Sequence, residues 1–184
     1  PRDVPFVCVS VRNWGSMGSF CENLARLCDG IHDSYGRNIV FIAMQTPHDI
    51  SISHAVHRLM KNKAYVLDAR YKAEQIMGII GFSDFVLAMR LHTLIFSARM
   101  RVPFIGMVYD PKVDAYIKAL DMPSAGDVRE FDADRAMETV KDLMENRDKY
   151  ADALKRSVTE LESLARDDAR LLLELLESDK KSRT

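Results

Sequence analysis

The 184-residue chain is 47% apolar and 29% charged, the balance of a soluble globular protein with room for one real core. Its 26 basic and 27 acidic residues leave a formal charge of -1. That near-neutrality excludes a global positive field for nucleic acid or an anionic membrane surface, so any anion site must be local.

From the first residues onward, short apolar runs alternate with longer stretches of helical period. Strands are expected at Phe6–Val11, Asn38–Ala43, Ala64–Leu67, Phe85–Ala88, Pro103–Val108 and, from a weaker signal, Val128–Phe131. Helices are expected near 17–34, 50–61, 72–81, 92–100 and 111–120. Runs such as Ile39-Val40-Phe41-Ile42 and Phe104-Ile105-Gly106-Met107-Val108 are apolar on both faces, as strands are when helices cover both sides of a parallel sheet. The pattern predicts an α/β domain with a doubly wound, mainly parallel sheet.

After Gly126 the chain contains neither Gly nor Pro, and apolar residues recur at Tyr150, Leu154, Val158, Leu161, Ala165, Leu172 and Leu176. One or two long helices are expected there, with a break at Asn146. The stripe either covers the sheet or packs in part on a further domain. Ser178–Thr184 reads as a frayed, solvated end. The chain opens at Pro1 and enters a strand almost at once, which reads as part of a longer protein.

Cys8, Cys21 and Cys28 form no CxxC pair and no Cys/His set of zinc-finger spacing. Neither a disulfide framework nor a structural metal is indicated, and a reducing, cytoplasmic compartment is expected. No stretch has the apolar length of a membrane span, and the start lacks the layout of a signal peptide. Cys21 and Cys28, two helical turns apart on an apolar face, read as core. His54 and His57 share a helix face, but no carboxylate or thiol at a ligand spacing completes a metal site. The motifs of dinucleotide binding, of P-loops and of the nucleophile elbow are absent.

In an open α/β sheet, ligands bind beyond the carboxyl ends of the strands. Three segments fall there. Val11-Arg12-Asn13-Trp14-Gly15-Ser16 follows the first strand, Met89-Arg90-Leu91-His92-Thr93 the fourth, and Tyr109-Asp110-Pro111-Lys112 the fifth. If the strand order reverses between the first and fourth strands, Arg12 and Arg90 flank one crevice. Two guanidinium forks and a helix N-terminus suit a small, multiply charged anion.

Each residue also has a plainer reading. Arg90 could pair with Asp84 or Asp110, and His92 could be a core histidine bonded to a carbonyl. Arg12 could be a solvated loop residue, and Asp110 before Pro111 has the form of a helix N-cap. Gln45 is either a polar contact or a loop residue. Trp14 is either a stacking surface for a sugar or a lid on the core.

The stretches "VSVRNW" (9–14), "NIVFIAMQ" (38–45), "AMRLHTLIF" (88–96) and "VPFIGMVYDPKV" (102–113) resemble the polysaccharide pyruvyl transferase family, and within it the bacterial branch that pyruvylates cell-wall polymers. The resemblance implies a Rossmann-like domain, the C-terminal half of a B-type glycosyltransferase architecture. Residues 1–131 would bind the donor, 132–184 would be a helical extension of the same domain, and an acceptor-binding N-terminal domain would lie outside this chain, leaving it inactive alone.

It further implies transfer of the pyruvyl group of phosphoenolpyruvate to a sugar or lipid-linked saccharide, giving a pyruvate ketal of a cell-envelope precursor at the inner face of the membrane. No cofactor is implied. Arg12, Arg90 and Leu91 would hold the donor and His92 would be the catalytic acid, with Gln45, Asp110 and Lys112 as additional contacts. Two departures from the family pattern are Ala88, where glycine is frequent, and Lys72-Ala73 in place of a Thr-Pro helix start. The alternatives are a nucleotide-sugar glycosyltransferase of the same fold, with Glu74 or Asp114 as the ribose contact, and a non-catalytic anion-binding domain.

Overall fold

Side chains alternate across a strand, and in this sequence both sets are apolar, so both faces of the sheet must be covered. In a computed structural model that describes residues 4–15, 17–68 and 70–182, that is the outcome. The strands are β1 (Phe6–Ser10), β2 (Asn38–Phe41), β3 (Ala64–Val66), β4 (Val86–Ala88), β5 (Phe104–Val108) and β6 (Ser124–Asp127). Each of the first five is followed by a helix: α1 (Gly18–Tyr35), α2 (His48–Leu59), α3 (Ala73–Gly81), α4 (Leu91–Arg99) and α5 (Pro111–Ala119). After β6 come a short 3-10 turn (Val128–Glu130), α6 (Ala133–Glu145) and α7 (Arg147–Ser182).

The six strands pair in parallel in the order β3-β2-β1-β4-β5-β6. Val7, Val9, Phe41, Leu87, Ile105 and Met107 point to one face, where they pack with residues of α1, α2 and α6. Cys8, Val86, Ala88 and Phe104 point to the other, under α3, α4, α5 and the first turns of α7. This is the doubly wound arrangement that the two-sided apolar strands predict.

The helices begin and end for local reasons. Gly36, at φ 63, takes the left-handed position that ends α1, and its N–H donates to His32 O. Gln75 Oε1 accepts from Lys72 N–H at 2.9 Å, starting α3 without a Thr-Pro pair. Asp132 caps α6 through Arg135 N–H at 2.8 Å. Asn146 separates α6 from α7, as its sequence position suggests, and its side-chain amide donates to Asp142.

One strand lies elsewhere than expected. The sixth strand is Ser124–Asp127, and the apolar pair Val128 and Phe131 lies beyond it. Asp127 accepts from Arg129 N–H at 2.8 Å and turns the chain into the 3-10 segment. Val128 and Phe131 are then buried on the α1 side, with Phe131 5.0 Å from Phe20 between ring centroids. An edge strand of small residues carries no apolar signal, whereas the buried turn after it does.

The apolar stripe of α7 divides. Leu154 and Val158 are buried against the second face, and Arg99 and Arg101 both reach Glu162. Beyond Glu162 the helix stands clear of the sheet: Ala165 is exposed, as are Leu164, Leu171, Leu172, Leu173 and Leu176. Of the end segment Ser178–Thr184, Arg183 and Thr184 lie outside the described residues, as do Ser16 and Ala69. No helix among the described residues is long and apolar enough to cross a membrane.

Two stability predictions follow from the packing. A Cβ built on Gly106 in β5 would lie 2.1 Å from Ile117 Cδ1 and 2.6 Å from its Cγ1. Gly106→Ala should therefore destabilise the domain by about 1–3 kcal/mol, read in denaturant unfolding, because α5 sits too close to the sheet to yield freely. Removing residues 163–184 should leave the unfolding midpoint unchanged, whereas Leu154→Ala should lower stability by about 2–5 kcal/mol.

Candidate functional site

The strand order reverses between β1 and β4. Helix α1 leaves β1 toward one face and α4 leaves β4 toward the other, so the loops after these strands part and open a crevice at the carboxyl edge. The two strand ends are tied together beneath it. Ser10 and Thr93, both fully buried, share a hydroxyl hydrogen bond of 2.9 Å, and Met89 N–H donates to Ser10 O at 2.9 Å. Arg12 stands two residues beyond Ser10, and Arg90 three before Thr93.

Arg12, Asn13, Gly15, Gln45, His48 and Arg90 line the crevice, whose volume is about 330 Å³. Arg12 is held by aromatic rings: its Cζ lies 4.6 Å from the centroid of Tyr109 and 5.4 Å from that of Trp14, and the two rings are 5.2 Å apart. Its Nε is buried and finds no hydrogen-bond partner among the described residues. An unsatisfied buried donor costs about 1–3 kcal/mol. Arg12 is thus a clamped, half-buried cation rather than a free loop residue, and Trp14 supports it while remaining 40% exposed.

Arg90 is the residue before α4 and has a different partner from either acid considered in the sequence. Its Nη2 donates to Asp49 Oδ1 at 2.5 Å and its Nε to Asp49 Oδ2 at 3.1 Å, while Nη2 also reaches Gln45 Oε1 at 2.9 Å. Asp84 is engaged with Arg37 at 2.6 Å, and Asp110 accepts from Lys112 N–H at 2.9 Å. Asp49 is fully buried, and its Oδ2 also accepts from the N–H groups of Met44 and Gln45 at 3.0 and 2.8 Å. Arg90 Nη1 makes no hydrogen bond among the described residues.

His92, the second residue of α4, is exposed, which overturns the core-histidine reading: the buried side of that helix is formed by Thr93, Leu94, Ser97 and Ala98. Among the described residues no side chain caps the helix; Thr93 N–H donates to Arg90 O at 3.0 Å, and the N–H groups of Leu91 and His92 are left available at the strand end. Leu91 is half-buried and packs on the second core cluster. His92 and Leu91 adjoin Arg90 without lining the crevice; Asp110 and Lys112 lie at the start of α5, also outside its walls.

His48 and Asp49 escape the sequence reading because it begins α2 at residue 50, whereas the helix begins at His48. An acid in the first turn of a helix after Thr46-Pro47 is the signal that would have found Asp49. His57 Nε2 accepts from Ala64 N–H at 3.4 Å. Among the described residues, no group of three or more His, Cys, Asp or Glu side chains is placed to hold a metal ion.

The cysteines are core residues. Burial pushes the Cys8 thiol up to about 12, against a hydrogen bond with Ser83. Burial also raises Cys28, helped by Asp29, and Cys21, helped by Glu22. None offers a thiolate near neutrality.

A larger hollow of about 400 Å³ lies between β6 and α6, lined by Asp127, Glu130, Asp132, Arg135 and Glu138. Its acids outnumber its one base and would repel a polyanion. Asp127 and Asp132 already serve as caps.

Fold and crevice together define a doubly wound, Rossmann-like domain with an anion-suited cleft where the strand order reverses. The chain belongs to the polysaccharide pyruvyl transferase family, whose model matches residues 8–111. It is therefore a member of a transferase family that modifies polysaccharides. No curated protein matches it in sequence.

Among solved structures, MnaA of S. aureus with UDP is similar at TM-score 0.63 and 12% identity, over 83% of this chain and 40% of that one. UDP-GlcNAc 2-epimerase from Neisseria meningitidis bound to UDP-GlcNAc gives 0.64 and 11%, over 90% and 46%. The glycotransferase of kitacinnamycin gives 0.60 and 12%, over 89% and 40%. The chain spans 40–46% of the length of these structures, and at such identities the likeness is one of fold.

Asp110→Ala should cost about 1 kcal/mol of stability in thermal or denaturant unfolding through loss of the α5 cap. Its effect on anion binding should be small, because its carboxylate is turned to Lys112 N–H.

Proposed function

We propose that the crevice holds phosphoenolpyruvate and that the protein transfers its pyruvyl group to a sugar of a cell-envelope polysaccharide precursor. The observation that carries this reading is the convergence of Arg12 and Arg90 on one crevice, each with a guanidinium N–H that no described residue satisfies. Family membership supports the same reaction class. A carboxylate and a phosphate on one small molecule match two guanidiniums, whose planar donors fit either group.

In this reaction His92, exposed beside Arg90 and outside the crevice wall in this structure, turns toward the donor and gives a proton to its methylene carbon, and the adjacent carbon becomes electrophilic. A sugar hydroxyl attacks there and loses its proton, the bond to the phosphate oxygen breaks, and inorganic phosphate leaves. A second hydroxyl adds to the same carbon, completing the ketal and releasing the last proton. An exposed imidazole suits the first transfer, and the arginines suit charge that gathers on the departing phosphate. Leu91 fixes the start of α4 through its packing, and Gln45 meets the site by holding Arg90.

As part of the same proposal, residues 1–131 form the donor-binding unit and 132–184 its helical extension. An acceptor-binding domain preceding them would complete the enzyme. The chain's span of 40–46% of the similar structures leaves room for such a domain in the whole protein. No cofactor enters the scheme, and a lipid-linked acceptor would bring the enzyme to the inner face of the membrane.

The nucleotide-sugar reading draws support only from the fold. Of its two ribose contacts, Asp114 is paired with Lys118 at 2.6 Å, and Glu74 lies in the first turn of α3 outside the crevice.

Calorimetric titration should detect phosphoenolpyruvate binding to the chain and a loss of about tenfold or more in Arg12→Ala. Binding of a UDP-sugar with no response to phosphoenolpyruvate would sink the proposal. In the enzyme assembled with its acceptor domain, His92→Ala should lower turnover by about 10²–10⁴-fold while leaving donor affinity within a few-fold.

A further inference from the structure

The guanidinium of Arg90 has three nitrogens, and the fold has already committed two of them. Asp49 takes the Nε and Nη2 edge as a fork, at 3.1 and 2.5 Å, and Gln45 Oε1 takes the second proton of Nη2 at 2.9 Å. Among the described residues Nη1 has no partner, and it is left to face a ligand. Asp49 is itself immobile: it is fully buried, holds the N–H groups of Met44 and Gln45, and its own backbone accepts from Ser53 Oγ at 2.7 Å. Asp49 N–H closes the turn onto Gln45 O at 2.9 Å.

We infer that Asp49 is a positioning residue: it fixes the orientation of Arg90 so that Nη1 of the guanidinium is presented to the bound anion. The inference deepens the anion-site reading above and rests on it. Its physical content is a trade of charge for direction. Asp49 cancels the charge of Arg90, so Arg90 recognises its ligand by the placement of its N–H groups rather than by long-range attraction. Arg12, whose neighbours are aromatic rings, supplies net positive charge.

This makes the sign of a substitution decisive. Asp49→Asn keeps the side-chain shape and an oxygen for the turn, and it raises the charge of the crevice by one. If Arg90 acted as a simple cation, anions would bind this variant more tightly. If Asp49 positions Arg90, they bind more weakly, by about tenfold or more.

The test uses phosphoenolpyruvate and inorganic phosphate as probes, with binding followed by calorimetry and by emission of the single tryptophan, Trp14, which lies beside Arg12. Asp49→Asn, Arg90→Ala and the double variant are compared, each checked for folding by circular dichroism and thermal midpoint. The expected result is a weakened Asp49→Asn and a double variant no weaker than Arg90→Ala, since a residue acting through another adds nothing once the other is gone.

Arg90→Lys keeps the charge opposite Asp49 without the fork and provides a check even if Asp49→Asn does not fold. It should bind anions as poorly as Arg90→Ala. Unchanged or tighter phosphoenolpyruvate binding in Asp49→Asn, an additive loss in the double variant, or full affinity in Arg90→Lys would each overturn the positioning role while leaving the donor reading in place. Phosphate binding with the expected pattern but no phosphoenolpyruvate binding would do the reverse. Failure of the unsubstituted chain to bind either anion would overturn both.

Discussion

Everything at the crevice depends on one topological constraint. Parallel strands must be joined by crossovers of fixed hand, so a sheet covered on both faces has to reverse its strand order once. Here the reversal falls between β1 and β4. The β1–α1 and β4–α4 loops are forced apart, and no choice of side chains could close the gap without breaking the alternation that buries both faces. The Ser10–Thr93 hydrogen bond shows how the chain manages the seam. The Thr93 hydroxyl donates to that of Ser10 inside the apolar layers and ties the diverging loops together, so Arg12 and Arg90 project from fixed points.

A guanidinium at such a seam needs a counterweight, and Asp49 at the start of α2 provides it. Burying Asp49 alone would be prohibitive, and burying Arg90 alone nearly so. Together, with two backbone N–H groups and Gln45 completing the network, they are sustainable. Breaking a buried pair of this kind typically costs about 3–5 kcal/mol because the remaining charge is stranded. The network also joins the β2–α2 turn to the head of α4 across the neighbouring strand. Part of what orders the site is therefore what orders the fold.

The legible part of this protein was the part governed by periodicity. Strands apolar on both faces announced a covered parallel sheet, and Asn146 announced the break in the terminal helices. Asp110 before Pro111 announced its cap. The strand Ser124–Asp127 was hidden because its small residues bury little, while Val128 and Phe131 mimicked a strand from within a buried turn. Arg12 and Arg90 could be placed at strand ends from sequence. Their partners could not, because Asp49 lies 41 residues from Arg90 and only the pairing of β2 with β1 and β1 with β4 makes them neighbours. A side chain's contact across a sheet is a property of strand order, which local pattern does not encode.

The electrostatic character of the crevice follows from that same long-range contact. Counting residues along the chain gives two arginines at the site; counting pairs among the described residues gives one uncompensated guanidinium, because Asp49 balances Arg90. The net field is accordingly modest, in keeping with a chain whose formal charge is -1. Under the proposal, a small dianion in such a place would be selected by the placement of arginine donors, of which Arg12 Nε and Arg90 Nη1 have no partner among the described residues. Directed donors of this kind require little reorganisation when charge moves from a carbon-bound oxygen to a departing phosphate. A site built on them is better matched to a reaction in which charge relocates than to one that merely accumulates anions, which favours the transferase reading over a passive anion-binding domain.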